Sequence, residues 1–428
     1  MNRLHPTPRQ LEYLDWRFGI FLHFGLRTFH EGWKDWDERP MDLSAFNPSE
    51  LDCDQWADVA VRAGAKYMVL TAKHHDGFTN WPSSLTDFGV HSTPWRDGGG
   101  DVVAEFVEAC RRRNLAVGLY YSPADASSPV YDDPAAYDEY FIEQIREILL
   151  PYGPVDMIWF DGCGSENHEY DWPRIVGEIR RAQPEILIFN MADPDFRWIG
   201  NESGIAPFSH SNVTTSVDVS VMTTRTEKLD GDGEAWFLPA ECDLMIRDEN
   251  WFYQEYDTDT VKSPEELVGL YYYSVGRGAN MLLNIGPDRR GLIPDPDAAA
   301  VVGMREELDR RFAAPIVSLN DFRRDGAATW TFDREKPFYL DHLVLGEDLT
   351  AGERIVSFSV GLHSLVHARA VVLYEGTTIG RTRIVQFPRV RGRGLTVTVT
   401  TRSGSPELAE LSVFDSVAGR TDTRRRHD

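Results

Sequence analysis

Val155-Asp156-Met157-Ile158-Trp159-Phe160-Asp161-Gly162, residues 155–162, is a run of branched, aromatic and sulfur side chains that stops at an acid and a glycine. Such a run, ended by a turn signal, predicts a strand buried on both faces. In a parallel α/β fold the carboxyl ends of the strands hold the ligand, which puts Asp161 where chemistry is done. Alternation sets Trp159 on the same side of the strand as Asp161. An aromatic ring beside a carboxylate suits a sugar whose carbon is attacked. Taken alone, a strand-terminal Asp is more often the cap of the next helix or turn, so the neighbouring segments decide.

Working outward, residues 18–25 (FGIFLHFG), 67–72 (YMVLTA), 116–121 (AVGLYY) and 186–190 (ILIFN) have the same apolar texture. Between them residues 54–63, 101–113, 134–149 and 172–182 carry helical spacing of apolar side chains, several with an Asp placed to cap. Strands alternating with helices of this length predict βαβ units and a parallel sheet covered on both faces. Four strands end in chemically capable residues: His23, the His74-His75 pair, Tyr120 and Asp161. Function gathered at successive strand ends predicts a (β/α)8-like, TIM-type barrel. After Asn190 the pattern loosens. Residues 197–210 read as loop, 235–241 as strand, 264–276 as helix and 280–285 as the last strand, so about seven strands are visible and the eighth is inferred.

A helix over residues 296–312 closes this unit, giving a catalytic barrel over residues 1–313. Residues 314–428 change texture. Short strands are expected at 338–345, 354–360, 370–374, 383–387, 395–401 and 408–414, separated by turn signals such as Glu375-Gly376 and Arg393-Gly394. That spacing predicts a C-terminal antiparallel β-sandwich, here followed by a charged tail from Arg420.

The net charge is −24, and it is uneven: about 28 Lys/Arg against 54 Asp/Glu precede residue 315, and about 16 against 14 follow it. So acidic a first domain excludes nucleic acid, whose phosphates need basic patches. Cys53, Cys110, Cys163 and Cys242 are scattered, with neither zinc spacing nor a disulfide framework. No segment reaches the roughly 18 uninterrupted apolar residues of a membrane span, and residues 1–17 hold no signal-like apolar run. A cytoplasmic protein with no membrane partner is expected; the oligomeric state is not legible.

Cleavage of a glycosidic bond with retention needs two carboxyl groups about 5 Å apart, one to attack carbon and one to shuttle the proton. Asp161 fits the first role because it ends a rigid strand. The second must come from a neighbouring loop, and Glu202, Glu234 and Glu241 are the candidates. His74 and His75 can both face one pocket only if their strand ends there, and Asp76-Gly77 supplies the break. The pair suits hydrogen bonds to a polyhydroxylated ligand better than metal ligation, since neither HExxH nor His-x-His spacing is present. No metal or other cofactor is expected. The glycine-rich pieces at 98–100 and 162–164 lack phosphate-loop and dinucleotide spacing and read as turns.

Taken together, His23-Phe24-Gly25, Lys73 to Phe78 with Trp81, Tyr120-Tyr121-Ser122-Pro123, Trp159-Phe160-Asp161-Gly162 and residues 280–294 (NMLLNIGPDRRGLIP) resemble the retaining α-L-fucosidases of glycoside hydrolase family 29. The resemblance runs from about residue 18 to residue 414 and implies a barrel followed by a sandwich, with a fucosylated oligosaccharide or glycoconjugate as substrate. It implies Asp161 as nucleophile, and His23, His74, His75, Tyr120 and Trp159 as the residues that hold the fucose. The Arg197-Trp198-Ile199-Gly200-Asn201-Glu202 segment is similar to the subgroup acting on α-1,3/1,4-linked fucose, as are Glu241-Cys242-Asp243 and Trp251-Phe252-Tyr253. In that subgroup the glutamate after Gly-Asn is the acid/base, which implies Glu202, with Glu241 and Trp251 as substrate contacts. Two departures bear on the aglycone. The Glu-Trp pair after the first strand appears as Glu31-Gly32-Trp33, which makes Trp33 a displaced contact, and Ser122-Pro123-Ala124-Asp125 lacks an aromatic. A retaining glycosidase for a fucose-like sugar such as a galactoside, or a non-catalytic glycan-binding protein on the same scaffold, are the competing functions; detectable turnover eliminates the second.

Overall fold

The computed structural model describes residues 4–34, 39–165, 167–218, 226–228, 235–366 and 369–417. Glu234, Trp36 and the charged tail from Arg420 fall outside them. The apolar runs become the strands of a parallel barrel: β1 Phe18–Leu22, β2 Tyr67–Lys73, β3 Ala116–Tyr121, β4 Met157–Phe160, β5 Leu187–Phe189, β6 Arg197–Trp198, β7 Ala240–Met245 and β8 Asn280–Asn284. Hydrogen bonding runs β5-β4-β3-β2-β1-β8-β7-β6, and a parallel bridge between Phe189 and Phe196 joins the two ends.

Two readings of the sequence are corrected here. Residues 197–210 are not all loop: Arg197 and Trp198 are the missing strand, paired in parallel with Ala240 and Glu241. The strand expected at 235–241 lies mainly later, as β7; Trp236–Phe237 belongs to a small two-stranded sheet with Val213–Thr214. A two-residue strand carries no periodicity, so tertiary pairing alone defines it, with β7 for Arg197–Trp198 and with Val213–Thr214 for Trp236–Phe237.

Helices α2 Cys53–Arg62, α3 Val102–Arg112, α4 Pro134–Leu149, α5 Trp172–Ala182, α6 Pro264–Tyr273 and α7 Asp295–Phe312 cover the outside of the barrel. Asp52, Asp101, Asp133, Asp171 and Ser263 cap five of them, each side chain accepting a first-turn backbone N–H. Strands β1 to β4 send Ile20, Leu22, Met68, Leu70, Leu119 and Ile158 outward to the helices. The inward set is mostly aromatic: Phe21, Tyr67, Tyr120, Trp159, Phe189, Phe196 and Trp198, with Tyr13 from the preceding helix α1 (Pro8–Trp16) closing the bottom. Gly19 makes room for this layer, because a Cβ there would stand 2.5 Å from the Tyr67 ring. With its floor filled, the barrel opens only at the carboxyl ends of its strands. Among the described residues no helix lies between β5 and β7, and the described parts of the 199–239 connection are irregular chain and short strand pairs.

After α7 the chain enters an antiparallel β-sandwich built on β9 Thr329–Glu347, β10 Ile355–His363, β11 Val371–Gly376, β12 Arg383–Thr401 and β13 Leu408–Phe414. The order is Val317–Ser318, β13, β9, β12, β10, β11, with Arg323–Arg324 also on β9. The strands expected at 383–387 and 395–401 are one 19-residue strand, and Arg393-Gly394 is not a turn. Gly392 and Gly394 instead let β12 lie close to its neighbours: a Cβ on Gly394 would meet the Phe332 carbonyl at 2.1 Å. Register shifts in the β9–β12 pairing, between Asp333 and Phe338 and between Leu340 and His342, let the long strands serve both layers around one core.

Candidate active site

At the barrel mouth β4 ends and delivers Asp161. Its Oδ2 accepts the Tyr120 hydroxyl at 2.9 Å, and its Oδ1 accepts the Cys163 backbone N–H at 2.9 Å. Nε2 of His75 stands 3.7 Å from Oδ2, and the carboxylate keeps 26% of its side-chain surface exposed. An Asp on a rigid strand end, held at both oxygens and still open to the mouth, is fixed in place without being consumed by its neighbours.

The three histidines converge beside it. Strand β2 stops at Lys73, and Gly77 at φ +87° turns the chain, so His74 and His75 both face inward with ring centroids 4.0 Å apart. His75 Nδ1 bonds Ser122 Oγ at 2.8 Å. Behind them Lys73 is fully buried, with Nζ 3.0 Å from Asp125, whose other oxygen accepts the Ser127 and Ser128 backbone N–H groups. Asp125, which follows the position where the segment lacks its aromatic, is thus a counter-ion that ties the ends of β2 and β3 together. Its loop also returns a bond from Ala126 N–H to the His75 carbonyl at 2.8 Å.

His23 is held differently. Asn284 Nδ2 donates to the Trp251 carbonyl at 2.7 Å, which leaves Asn284 Oδ1 to accept from His23 Nδ1 at 2.8 Å. The proton therefore sits on Nδ1, and Nε2 presents a lone pair. Burial pulls the His23 pKa down to about 3, and burial likewise holds His74 well below its ordinary value, so both rings are neutral at physiological pH. Trp251 and Phe252 pack on His23, with centroids at 5.0 and 5.4 Å. Asn284 was not singled out in the sequence. The signal was there, a polar residue ending an apolar strand, as for His23 and Asp161.

Trp159 lies in this group but not as the sugar platform expected of it. Phe189 stacks on it at 3.9 Å and Tyr120 lies nearly parallel to it at 5.4 Å, leaving the indole 5% exposed. The indole N–H stands 2.8 Å from Glu241 Oε1.

Glu241 is the clearest correction. It faces the barrel axis with no exposed surface, and its other oxygen accepts the Tyr13 and Tyr67 hydroxyls at 2.8 and 2.7 Å. Burial raises its pKa. No substrate reaches it, so it serves neither as a substrate contact nor as the acid/base; it fixes Trp159 from beneath. Glu241→Ala strands three buried donors and is expected to cost about 3–5 kcal/mol of stability, measured by denaturant unfolding. A substrate contact at the mouth would instead change KM and leave stability within about 0.5 kcal/mol.

Two residues further along β7, on the same face, Asp243 accepts the Trp198 indole N–H at 2.6 Å. Burial first, and the charge of Glu202 second, hold Asp243 well above the usual carboxylate range. Glu202 itself is exposed, on the loop that leaves β6. That loop turns at Gly200 and Gly204, both at positive φ, and is laid against β7 by a bridge from Ser203 to Leu244. Glu202 thus stands on a separate element from Asp161, over the β6–β7 side of the mouth. Trp33 stands with the rim: it stacks on His30 at 4.5 Å under the Arg39 guanidinium, and neighbouring Gly32 bonds Gln254. Among the described residues no group of three or more His, Cys, Asp or Glu is placed to hold a metal ion.

The α-L-fucosidase family matches residues 2–308 of this chain. Alpha-L-fucosidase 1 of Arabidopsis thaliana is 31% identical to it, over 96% of this chain and 87% of its own length. A glycoside hydrolase 29 family member from an unknown rumen bacterium superposes with a TM-score of 0.87 at 32% identity, over 98% of this chain and 79% of its own. The Ruminococcus gnavus GH29 fucosidase in complex with fucose gives a TM-score of 0.84 at 26% identity, covering 97% and 95% of the two chains. The match spans the barrel that carries Asp161 and continues through the sandwich, and on it this chain belongs to the α-L-fucosidases, glycoside hydrolase family 29.

Proposed function

We propose that the chain is an exo-acting, retaining α-L-fucosidase that removes terminal α-1,3/1,4-linked fucose. The observation that carries this reading is the setting of Asp161: oriented at both oxygens, open to the mouth, with His75 3.7 Å away and the neutral His23 and His74 in the same cluster. Asp161 attacks the anomeric carbon while Glu202 gives its proton to the departing glycosidic oxygen. The carbon–oxygen bond to the aglycone breaks and a fucosyl–aspartate ester forms. Glu202, now a carboxylate, takes a proton from water; that oxygen attacks the same carbon and the Asp161 ester breaks. Fucose leaves with its original configuration.

Neutral imidazoles suit the other task. The His23 Nε2 lone pair accepts from a sugar hydroxyl without repelling the positive charge that develops at the ring. The filled barrel floor supports exo action, since a sugar enters only from the mouth and no chain passes through. The linkage rests on the Arg197 to Glu202 segment, whose loop turns at Gly200 and again at Gly204 and brings Glu202 over the β6–β7 side. A panel of α-1,2-, α-1,3-, α-1,4- and α-1,6-fucosylated oligosaccharides, with proton NMR of the first-formed sugar, tests both points. Release of α-fucose from the α-1,3 and α-1,4 compounds is expected; initial β-fucose would contradict retention, and preference for another linkage would contradict the subgroup.

A further inference from the structure

Among the described residues no helix follows the loop that carries Glu202 before β7, and part of its continuation is held by the other domain. Glu353, between β9 and β10, is buried and accepts the Ser211 hydroxyl at 2.6 Å, the Asn212 backbone N–H at 2.9 Å and the Asn212 side-chain amide at 3.0 Å. Thr377 donates to the Phe208 carbonyl at 3.1 Å, and Thr378 donates to the His210 carbonyl. Arg383, only 2% exposed at the start of β12, reaches the Phe208 carbonyl at 3.2 Å and braces the Thr378 carbonyl from two nitrogens. The barrel ties the same loop as well: the Ala206 carbonyl accepts from Arg277 at 2.6 Å and its N–H bonds the Tyr273 carbonyl at 2.9 Å, Arg197 donates to the Ser211 carbonyl at 3.1 Å, the Leu238 N–H bonds the Asn212 carbonyl at 2.7 Å, and Ser203 bridges Leu244 on β7.

A surface loop left to itself is mobile, whereas proton transfer needs its donor held to within about half an ångström. Among the described residues the sandwich's bonds to this connection fall on residues 208–212, six to ten residues beyond Glu202, and Glu353 makes its three contacts there as a buried acceptor. From this placement we infer that the sandwich domain positions the acid/base: Glu353, Thr378 and Arg383 are positioning residues that hold the Glu202 loop over the barrel mouth. The inference rests on the reading of Glu202 as acid/base. It gives the second domain a role in proton transfer, distinct from glycan binding and from general support of the barrel.

A leaving group that needs no proton separates this role from mere stability. Dinitrophenolate departs unaided, whereas the alcohol of a fucosylated trisaccharide must be protonated. Glu353→Ala is expected to lower kcat/KM on the trisaccharide at least about tenfold and to keep kcat/KM on dinitrophenyl α-L-fucoside within about twofold. Thr378→Ala, which removes one hydroxyl, follows with the same sign and carries the test if Glu353→Ala fails to fold. Leu411→Ala, in the sandwich core, lowers Tm and leaves the ratio between the two substrates unchanged. In a Glu202→Ala background, adding Glu353→Ala changes that ratio no further. Equal losses on both substrates in Glu353→Ala and Thr378→Ala, while Glu202→Ala separates the substrates, would overturn the inference alone. If Glu202→Ala loses both substrates equally, the acid/base assignment falls and takes the inference with it.

Discussion

Asp161→Gly is expected to lose turnover of an aryl α-L-fucoside by a factor on the order of 10⁴ or more, while remaining folded. The carboxylate follows the end of β4, is open to the mouth and is ordered through both oxygens. Removing it leaves the Tyr120 hydroxyl and the Cys163 N–H without that acceptor, but the position is 26% exposed and water satisfies both. The loss therefore appears in kcat and scarcely in Tm. Azide should enter the space left by the carboxylate and attack the face that Asp161 would have attacked, giving a β-fucosyl azide. Turnover within tenfold of the parent by continuous assay, or an α-configured azide by NMR, would place the nucleophile elsewhere.

Glu202→Ala is expected to behave as a loss of proton transfer. On a fucosylated trisaccharide the rate should fall by about 10² to 10⁴, and kcat/KM on a dinitrophenyl fucoside should fall far less. With Asp161 intact the fucosyl–enzyme still forms from the activated substrate, and azide then attacks it from the opposite face. The product is an α-fucosyl azide, opposite in configuration to that from Asp161→Gly. Two variants giving two anomers from one reagent assign the two carboxylates independently of rate. If azide does not rescue Glu202→Ala, the acid/base lies elsewhere, and it is not Glu241, which is buried beneath Trp159 with both oxygens engaged.

Much of this was legible because each strand end carries its own signal. An apolar run closed by His, Tyr or Asp identified β1 to β4, and the structure draws His23, His74, His75, Tyr120, Trp159, Trp251 and Asp161 into one connected group of ring contacts and hydrogen bonds. Where the sequence misled, a tertiary contact was the missing information. Strand β6 is two residues long and exists through its pairing with β7. Glu241 and Asp243 face the barrel axis because β7 alternates, but no local pattern says which face of β7 is the inner one. Trp159 has the composition of a platform, and only the Phe189 and Tyr120 rings packed against it show that it is buried. Glu353 lies in a short connection between sandwich strands, more than a hundred residues from the loop it holds, and nothing near it in sequence announces that contact.

The central claim is a covalent fucosyl–enzyme on Asp161, and trapping that ester is the most direct measurement. A 2-deoxy-2-fluoro-L-fucosyl donor with an activated leaving group slows both steps but still allows the first, so the ester accumulates. Peptide mapping by mass spectrometry is expected to place one fluorofucosyl adduct on the peptide containing Trp159-Phe160-Asp161-Gly162, with fragmentation assigning it to Asp161. An adduct on another carboxylate, or turnover of the donor with no adduct and release of the inverted sugar, would contradict the account.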